Sequence, residues 1–127
     1  MKEVEEMLEE RANKFLKEAE DDLRKGFFDL ASFHAEQALQ LKLKAFLAKK
    51  IGYFSKTHRI SELLAEIKKL SPTLSKRLLK KRKIIEELEL SYLASRYFPI
   101  PYSKETANKL VSFVKNAFKL IEKHAKS

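Results

Sequence analysis

The sequence contains no cysteine, only two glycines and only three prolines in 127 residues. Without cysteine there can be no disulfide framework, no thiolate zinc site and no cysteine nucleophile. The two glycines are isolated, which excludes a glycine-rich phosphate-binding loop. No hydrophobic run approaches the roughly 20 apolar residues that cross a bilayer, and the acidic, amphipathic N-terminal segment is unlike a secretory signal. We therefore expect an intracellular, cytoplasmic protein that does not contact membranes.

Charged residues make up 35% of the chain and are mainly Lys and Glu, both good helix formers. The net charge is +9, and the positive excess lies in residues 26–127, because residues 1–25 hold more acids than bases. Such a charge favours an anionic partner, nucleic acid or an acidic protein, or else serves solubility. The scarcity of Asn, Gln, Met and Cys beside so many charges also resembles proteins of hyperthermophiles.

Apolar side chains recur every three or four residues over residues 3–25, which predicts an amphipathic helix. Gly26 interrupts the pattern, and a second helix is expected over residues 27–50. This second segment is apolar over much of its circumference, so it should be central in the fold or lie in an interface. Gly52 ends it.

The remaining sequence predicts three more helices. Ser55 or Thr57 is the expected cap of a short third helix, which ends before Pro72. A fourth is expected over residues 73–95, although Lys81 falls within its apolar stripe, and Ser103 is a good N-cap for the last. Residues 1–127 are therefore predicted to form one domain, an all-α, antiparallel, up-and-down four-helix bundle plus one short helix.

The segment KRLLKKRK at residues 76–83 has six basic residues in eight. It is either a phosphate-contacting stripe, which would bind nucleic acid in a salt-dependent way, or an ordinary solvated helix face.

Histidines are the only candidates for acid–base chemistry near neutral pH that the pattern singles out. His34 lies in the apolar stripe of the second helix, where it is either a hydrogen-bonded core residue or a functional one. His58 lies at a helix start and suits capping or packing as well as ligand contact. The three histidines are far apart and form no H-x-x-x-H pair, so no metal site and no cofactor are expected.

The segment SRYFPIPY at residues 95–102 carries two prolines that prevent regular helix. It presents Arg96, Tyr97 and Tyr102 on a stiff loop. One interpretation is that an aromatic ring stacks on a base while the guanidinium contacts a phosphate. The alternative is that the aromatics close the end of the bundle.

Three blocks resemble the HEPN family, the "higher eukaryotes and prokaryotes nucleotide-binding" helical domains, in order and at suitable separations. They are FDLASFHAEQALQLKLKAFL at 28–47, KTHRISELL at 56–64 and SRYFPIPYSKETANKLVSFVKNAFKLI at 95–121. The resemblance implies a bundle of about five helices, frequently a homodimer, often paired with a minimal nucleotidyltransferase in a toxin–antitoxin-like system. Within the first block, Lys44 and Ala45 match the family pattern, whereas Gln40 and Leu41 replace its Glu-Lys pair.

Many members of the family are metal-independent ribonucleases with an R-x(4-6)-H motif. Here Arg96 has no histidine at that spacing, because residues 101–103 are Pro, Tyr and Ser. We therefore expect a protein with no catalytic residues, which binds a nucleotidyltransferase partner, a nucleotide or RNA. The alternative is a divergent ribonuclease in which His34 or His58 replaces the missing histidine. The expected nucleotide-binding or RNA-binding residues are Arg96, Tyr97, Tyr102, His34, His58 and Lys44.

Overall fold

The computed structural model describes residues 2–97 and 101–126, apart from the side chains of residues 95–97. All regular structure in this part of the chain is helical, which confirms the predicted all-α class. The helices, in chain order, are α1 (Lys2–Lys25), α2 (Phe28–Ile51), α3 (Ile60–Lys68), α4 (Pro72–Leu79), α5 (Arg82–Tyr97) and α6 (Lys104–Ala125).

Helix α2 is the centre of the domain, as its all-round apolar pattern predicts. It packs against α1, α3, α5 and α6. Its alanines Ala31, Ala35 and Ala38 are fully buried, as are Ala12 and Ala19 of α1. Because such small side chains let two helix backbones approach closely, α1 and α2 share the most extensive helix contact. Among the described residues, none of the helices has the combination of length and apolarity required to cross a membrane.

Several predicted helix boundaries are confirmed. Gly26 and Gly52 have φ angles of 79° and 71°, the left-handed conformation that glycine adopts without strain after a helix. Pro72 occupies the first turn of α4, where its missing N–H costs nothing. Ser103 caps α6, because its Oγ accepts a 3.0 Å hydrogen bond from the N–H of Thr106.

The prediction of a single fourth helix over residues 73–95 is wrong, because a turn at residues 80–81 separates α4 from α5. The N–H of Lys81 donates to the carbonyl of Leu78, and the carbonyl of Lys81 accepts from Ile84 and Ile85 at the start of α5. A continuous helix would hold Lys81 in line with the buried Leu78 and Ile85. The turn instead places Lys81 in solvent, which avoids burying an unpaired charge.

The predicted cap of α3 is also wrong. The N-cap residue is Arg59, without a side-chain cap hydrogen bond. The hydroxyl of Thr57 accepts the N–H of Arg59 at 3.2 Å and donates to the carboxylate of Glu62. Ser55 in turn accepts the N–H of Thr57. These two hydroxyls therefore stabilise the turn before α3 and do not cap the first N–H groups of the helix.

One buried lysine joins three helices. The side chain of Lys42 in α2 is 1% exposed, and its Nζ lies 2.7 Å from Glu9 of α1 and 2.9 Å from Glu122 of α6. The same ammonium lies 5.0 Å from the ring centroid of Phe118. Two carboxylates and a ring face thus replace the water that this cation loses.

Candidate functional site

A polar pair joins α1 to α2. The Nδ1 atom of His34 lies 2.6 Å from Oδ2 of Asp22, across the left-handed turn at Gly26. Asp22 is buried, whereas His34 is partly exposed. When this carboxylate is ionised it can only accept hydrogen bonds, and Nδ1 then carries the proton of the pair. The second ring nitrogen, Nε2, is therefore left for a ligand or a proton.

Aromatic rings hold the imidazole of His34 on two sides. The ring centroid of Phe15 lies 5.7 Å away, and that of Phe33 lies 5.5 Å away. These contacts and the bond to Asp22 restrict the ring to one orientation, so His34 is a preorganised group.

His34 lines an open pocket of about 440 Å³ at the surface of α1 and α2. The other lining residues are Arg11, Lys14, Phe15 and Glu18, all from α1. A spacing of three or four residues places these four side chains on one face of the helix. The pocket combines two exposed cations with the acid Glu18, an apolar ring and an oriented imidazole, and Lys14 also pairs with Glu10 at 3.1 Å. Its volume is in the range of small-molecule sites. These groups suit a ligand with phosphates and a planar ring.

The structure also connects His34 to His58, although the two rings are not neighbours. Tyr92 of α5 lies 6.4 Å from Phe33 between ring centroids, and His58 stacks on Tyr92 at 4.7 Å with an interplanar angle of 11°. His58 is exposed and lies in the segment before α3. The two histidines thus occupy the ends of a row of four rings, His34, Phe33, Tyr92 and His58.

Lys44 lies elsewhere on α2, ten residues after His34, which is about 15 Å of axial rise. Its Nζ lies 6.0 Å from the ring centroid of Phe54. Burial lowers the pKa of Lys44, and the neighbouring Glu36 partly offsets that effect. Because of its distance along α2, Lys44 does not line the pocket at His34.

Glu36 is a fully buried acid in the middle of α2. Its carboxylate accepts hydrogen bonds from Gln40 at 2.5 Å and from Gln37 at 2.8 Å. The pKa of Glu36 is raised to about 7, mainly by burial and also by the nearby Glu89, and the two amides and Lys44 partly oppose the shift. Near neutral pH, this carboxyl therefore exists in both protonation states.

Tyr102 lies at the other end of α2 from Lys44. Its backbone N–H donates to Asp29 at 3.0 Å, and within the described residues its buried hydroxyl has no hydrogen-bond partner. Burial raises the pKa of Tyr102 to about 12, with Asp29 and Glu87 adding to the shift. A phenol with so high a pKa is a poor base near neutral pH.

Of the six residues expected to bind a nucleotide or RNA, His34 and His58 belong to one ring row, whereas Lys44 and Tyr102 lie apart from it. The side chains of Arg96 and Tyr97 fall outside the described residues. Among the residues described, no group of three or more His, Asp and Glu side chains has the arrangement needed to hold a metal ion.

The sequence reading missed Asp22, Arg11 and Lys14. Asp22 gave one signal, since it follows Ala19 by three residues and so places an acid on the apolar face of α1. Arg11 and Lys14 gave none, because they look like any other charges on an exposed helix face.

The family model of the HEPN domain matches residues 5–124, nearly the whole chain. The chain therefore belongs to the HEPN family, whose members are helical domains of the nucleotide-binding and ribonuclease type and often dimerise. No curated protein matches the sequence significantly.

Proposed function

We propose that this HEPN protein binds a nucleotide, free or at the end of an RNA strand, in the pocket between α1 and α2. The observation that carries the proposal is the 2.6 Å contact between buried Asp22 and His34 at the edge of a pocket with two cations. Arg11 and Lys14 bind the phosphates, because guanidinium and ammonium groups donate charge-assisted hydrogen bonds to them. Phe15 and the imidazole provide the flat, partly apolar surface for the base.

Binding of ATP by isothermal titration calorimetry tests this proposal. We expect His34→Ala and Arg11→Gln each to weaken binding about tenfold or more. His34→Ala removes a ring on which the base stacks, and Arg11→Gln removes a charge-assisted hydrogen bond to a phosphate. His124→Ala and Lys17→Gln are the matched controls. His124 bonds the carbonyl of Leu120 far along α6, and Lys17 lies on α1 but does not line the pocket. Equal affinity in all four variants, or no ATP binding by the wild-type protein, would contradict the proposal.

The second candidate function is ribonuclease activity at the same pocket, and the Asp22–His34 pair favours it. Nε2 of His34 would take the proton of a ribose 2′-hydroxyl, and the 2′-oxygen would attack the adjacent phosphorus. The bond to the 5′-oxygen then breaks, and that oxygen takes a proton from water. The hydroxide left by that water takes the proton from the imidazolium of His34, which restores the neutral ring. The products are a 2′,3′-cyclic phosphate and a 5′-hydroxyl.

Incubation of RNA with the protein in EDTA distinguishes the two functions. A ribonuclease yields cyclic phosphate ends that disappear with His34→Ala and decline with Asp22→Asn, since the neutral amide stabilises imidazolium less well. If the RNA stays intact with the protein in molar excess, ribonuclease activity is rejected and only the binding function remains.

We further propose that the protein is a homodimer that acts with a minimal nucleotidyltransferase in a toxin–antitoxin-like system. The family resemblance of the three sequence blocks supports this context. Cytoplasmic location and a hyperthermophilic source stay predictions from composition.

A further inference from the structure

The basic segment of residues 76–83 spans the end of α4, the turn and the start of α5. The turn directs Lys80 and Lys81 towards the C-terminal half of α6, which carries Lys119 and Lys123. Cations from α4, the α4–α5 turn and α6 therefore gather at one corner of the domain.

The first of two grooves at this corner has a volume of about 520 Å³ and lies between the α4–α5 turn and α6. Among the described residues, no acid lines it. Its five lining cations are Arg77, Lys80, Lys81, Lys119 and Lys123. The half-buried ring of Phe113 and the side chain of Leu120 supply apolar lining. The groove thus pairs a strongly positive rim with an aromatic surface.

The second groove, of about 420 Å³, follows another face of α4, that of Pro72, Lys76 and Leu79. Its cations are Lys68, Lys76, Lys80 and Arg82, again without an acid in the lining. Lys80 lines both grooves. The positive surface therefore continues from one side of α4 to the other.

Within the described residues, none of the eight cations of the two grooves forms an ion pair. In the part of the chain that the structure describes, every ion pair uses another cation, such as Lys14, Lys42 or Lys115. Like charges gathered in this way repel one another and destabilise the compact state. A bound polyanion removes that repulsion.

We propose that the two grooves bind one single strand of nucleic acid, whose phosphates contact the cations and one of whose bases stacks on Phe113. An extended polyanion fits better than a mononucleotide, because the grooves meet at Lys80 and cover both faces of α4. Phe113 favours a nucleic-acid strand over an acidic protein, since every base offers a ring face for stacking. This site shares no residue with the pocket at His34, so it does not depend on the function proposed there.

The salt dependence of oligouridylate binding tests the proposal. For a single strand, the slope of log K against log salt is negative, and each lost phosphate contact reduces its magnitude by about 0.7, which is about fivefold in affinity at about 0.1 M salt. We expect this change for Lys80→Gln and about twice this slope change for Lys119→Gln combined with Lys123→Gln. All three side chains are exposed, so the variants should fold. Phe113→Leu should weaken binding and leave the slope unchanged.

The matched control is Lys17→Gln combined with Lys56→Gln, which removes the same charge from exposed positions outside both grooves. The control should keep the wild-type slope. Equal slope losses in the control and the groove variants would overturn the proposal. So would an oligoglutamate of equal charge that binds as tightly as oligouridylate, or an absence of oligouridylate binding at low salt.

Discussion

At the scale of single residues, the function proposed here rests on His34 and its carboxylate partner. The sequence singled out His34, because a polar ring in an apolar stripe needs either a hydrogen bond or a ligand. It did not identify Asp22, which is twelve residues earlier in another helix. That pairing depends on how α1 and α2 rotate about their axes when their alanines pack, and periodicity alone does not fix this rotation.

Glu36 gives a prediction at the same scale. Its pKa is raised from 4.5 to about 7 in the folded protein, so the folded state binds the proton more tightly than the unfolded state. The stability associated with that proton is complete below pH 4.5 and is lost as the pH rises through about 7. Glu36→Gln should therefore be more stable than wild type by about 3 kcal/mol at about pH 8, and nearly equal to it below pH 4.5.

Urea denaturation at both pH values measures this difference. Glu6→Gln is the control, because Glu6 is exposed and should give the same small change at each pH. A Glu36→Gln variant that loses stability at the higher pH would show that the buried carboxylate is favourable when ionised.

At the scale of elements, the sequence predicted helix ends well where a residue acts through its own backbone. Gly26, Gly52, Pro72 and Ser103 all act as expected, since φ preferences and local caps do not depend on distant contacts. The division between α4 and α5 was missed, although Lys81 in the apolar stripe was its signal. A charged residue in such a stripe can lie within a continuous helix or mark the point where the helix ends. Only the tertiary packing decides which of the two occurs.

The division predicts the effect of Lys81→Leu. Because residue 81 is exposed at the turn, the added leucine should change the free energy of unfolding by less than about 0.5 kcal/mol. Leu78→Ala, at a buried neighbour, should cost about 2 to 5 kcal/mol. Urea denaturation of both variants provides the measurement. A gain of about 2 kcal/mol for Lys81→Leu would mean that a continuous helix buries this position.

At the scale of the whole molecule, the apolar pattern of α2 was sufficient to predict a central helix, and the order of three blocks was sufficient to identify the family. The positive charge was visible in the sequence, but its concentration in two grooves was not, because Lys119 and Lys123 are about forty residues from the basic segment and join it only through packing. The pocket at His34, formed by α1 and α2, is therefore separate from the two cationic grooves around α4.

The most direct test of the proposed nucleotide site is a long-range ¹⁵N–¹H spectrum of the three histidines, recorded with and without ATP. The bond to Asp22 predicts that the free protein carries its His34 proton on Nδ1 and that Nε2 of His34 shifts when ATP binds. His58 and His124, which do not line the pocket, should shift much less. An unchanged His34 signal at saturating ATP would contradict the site.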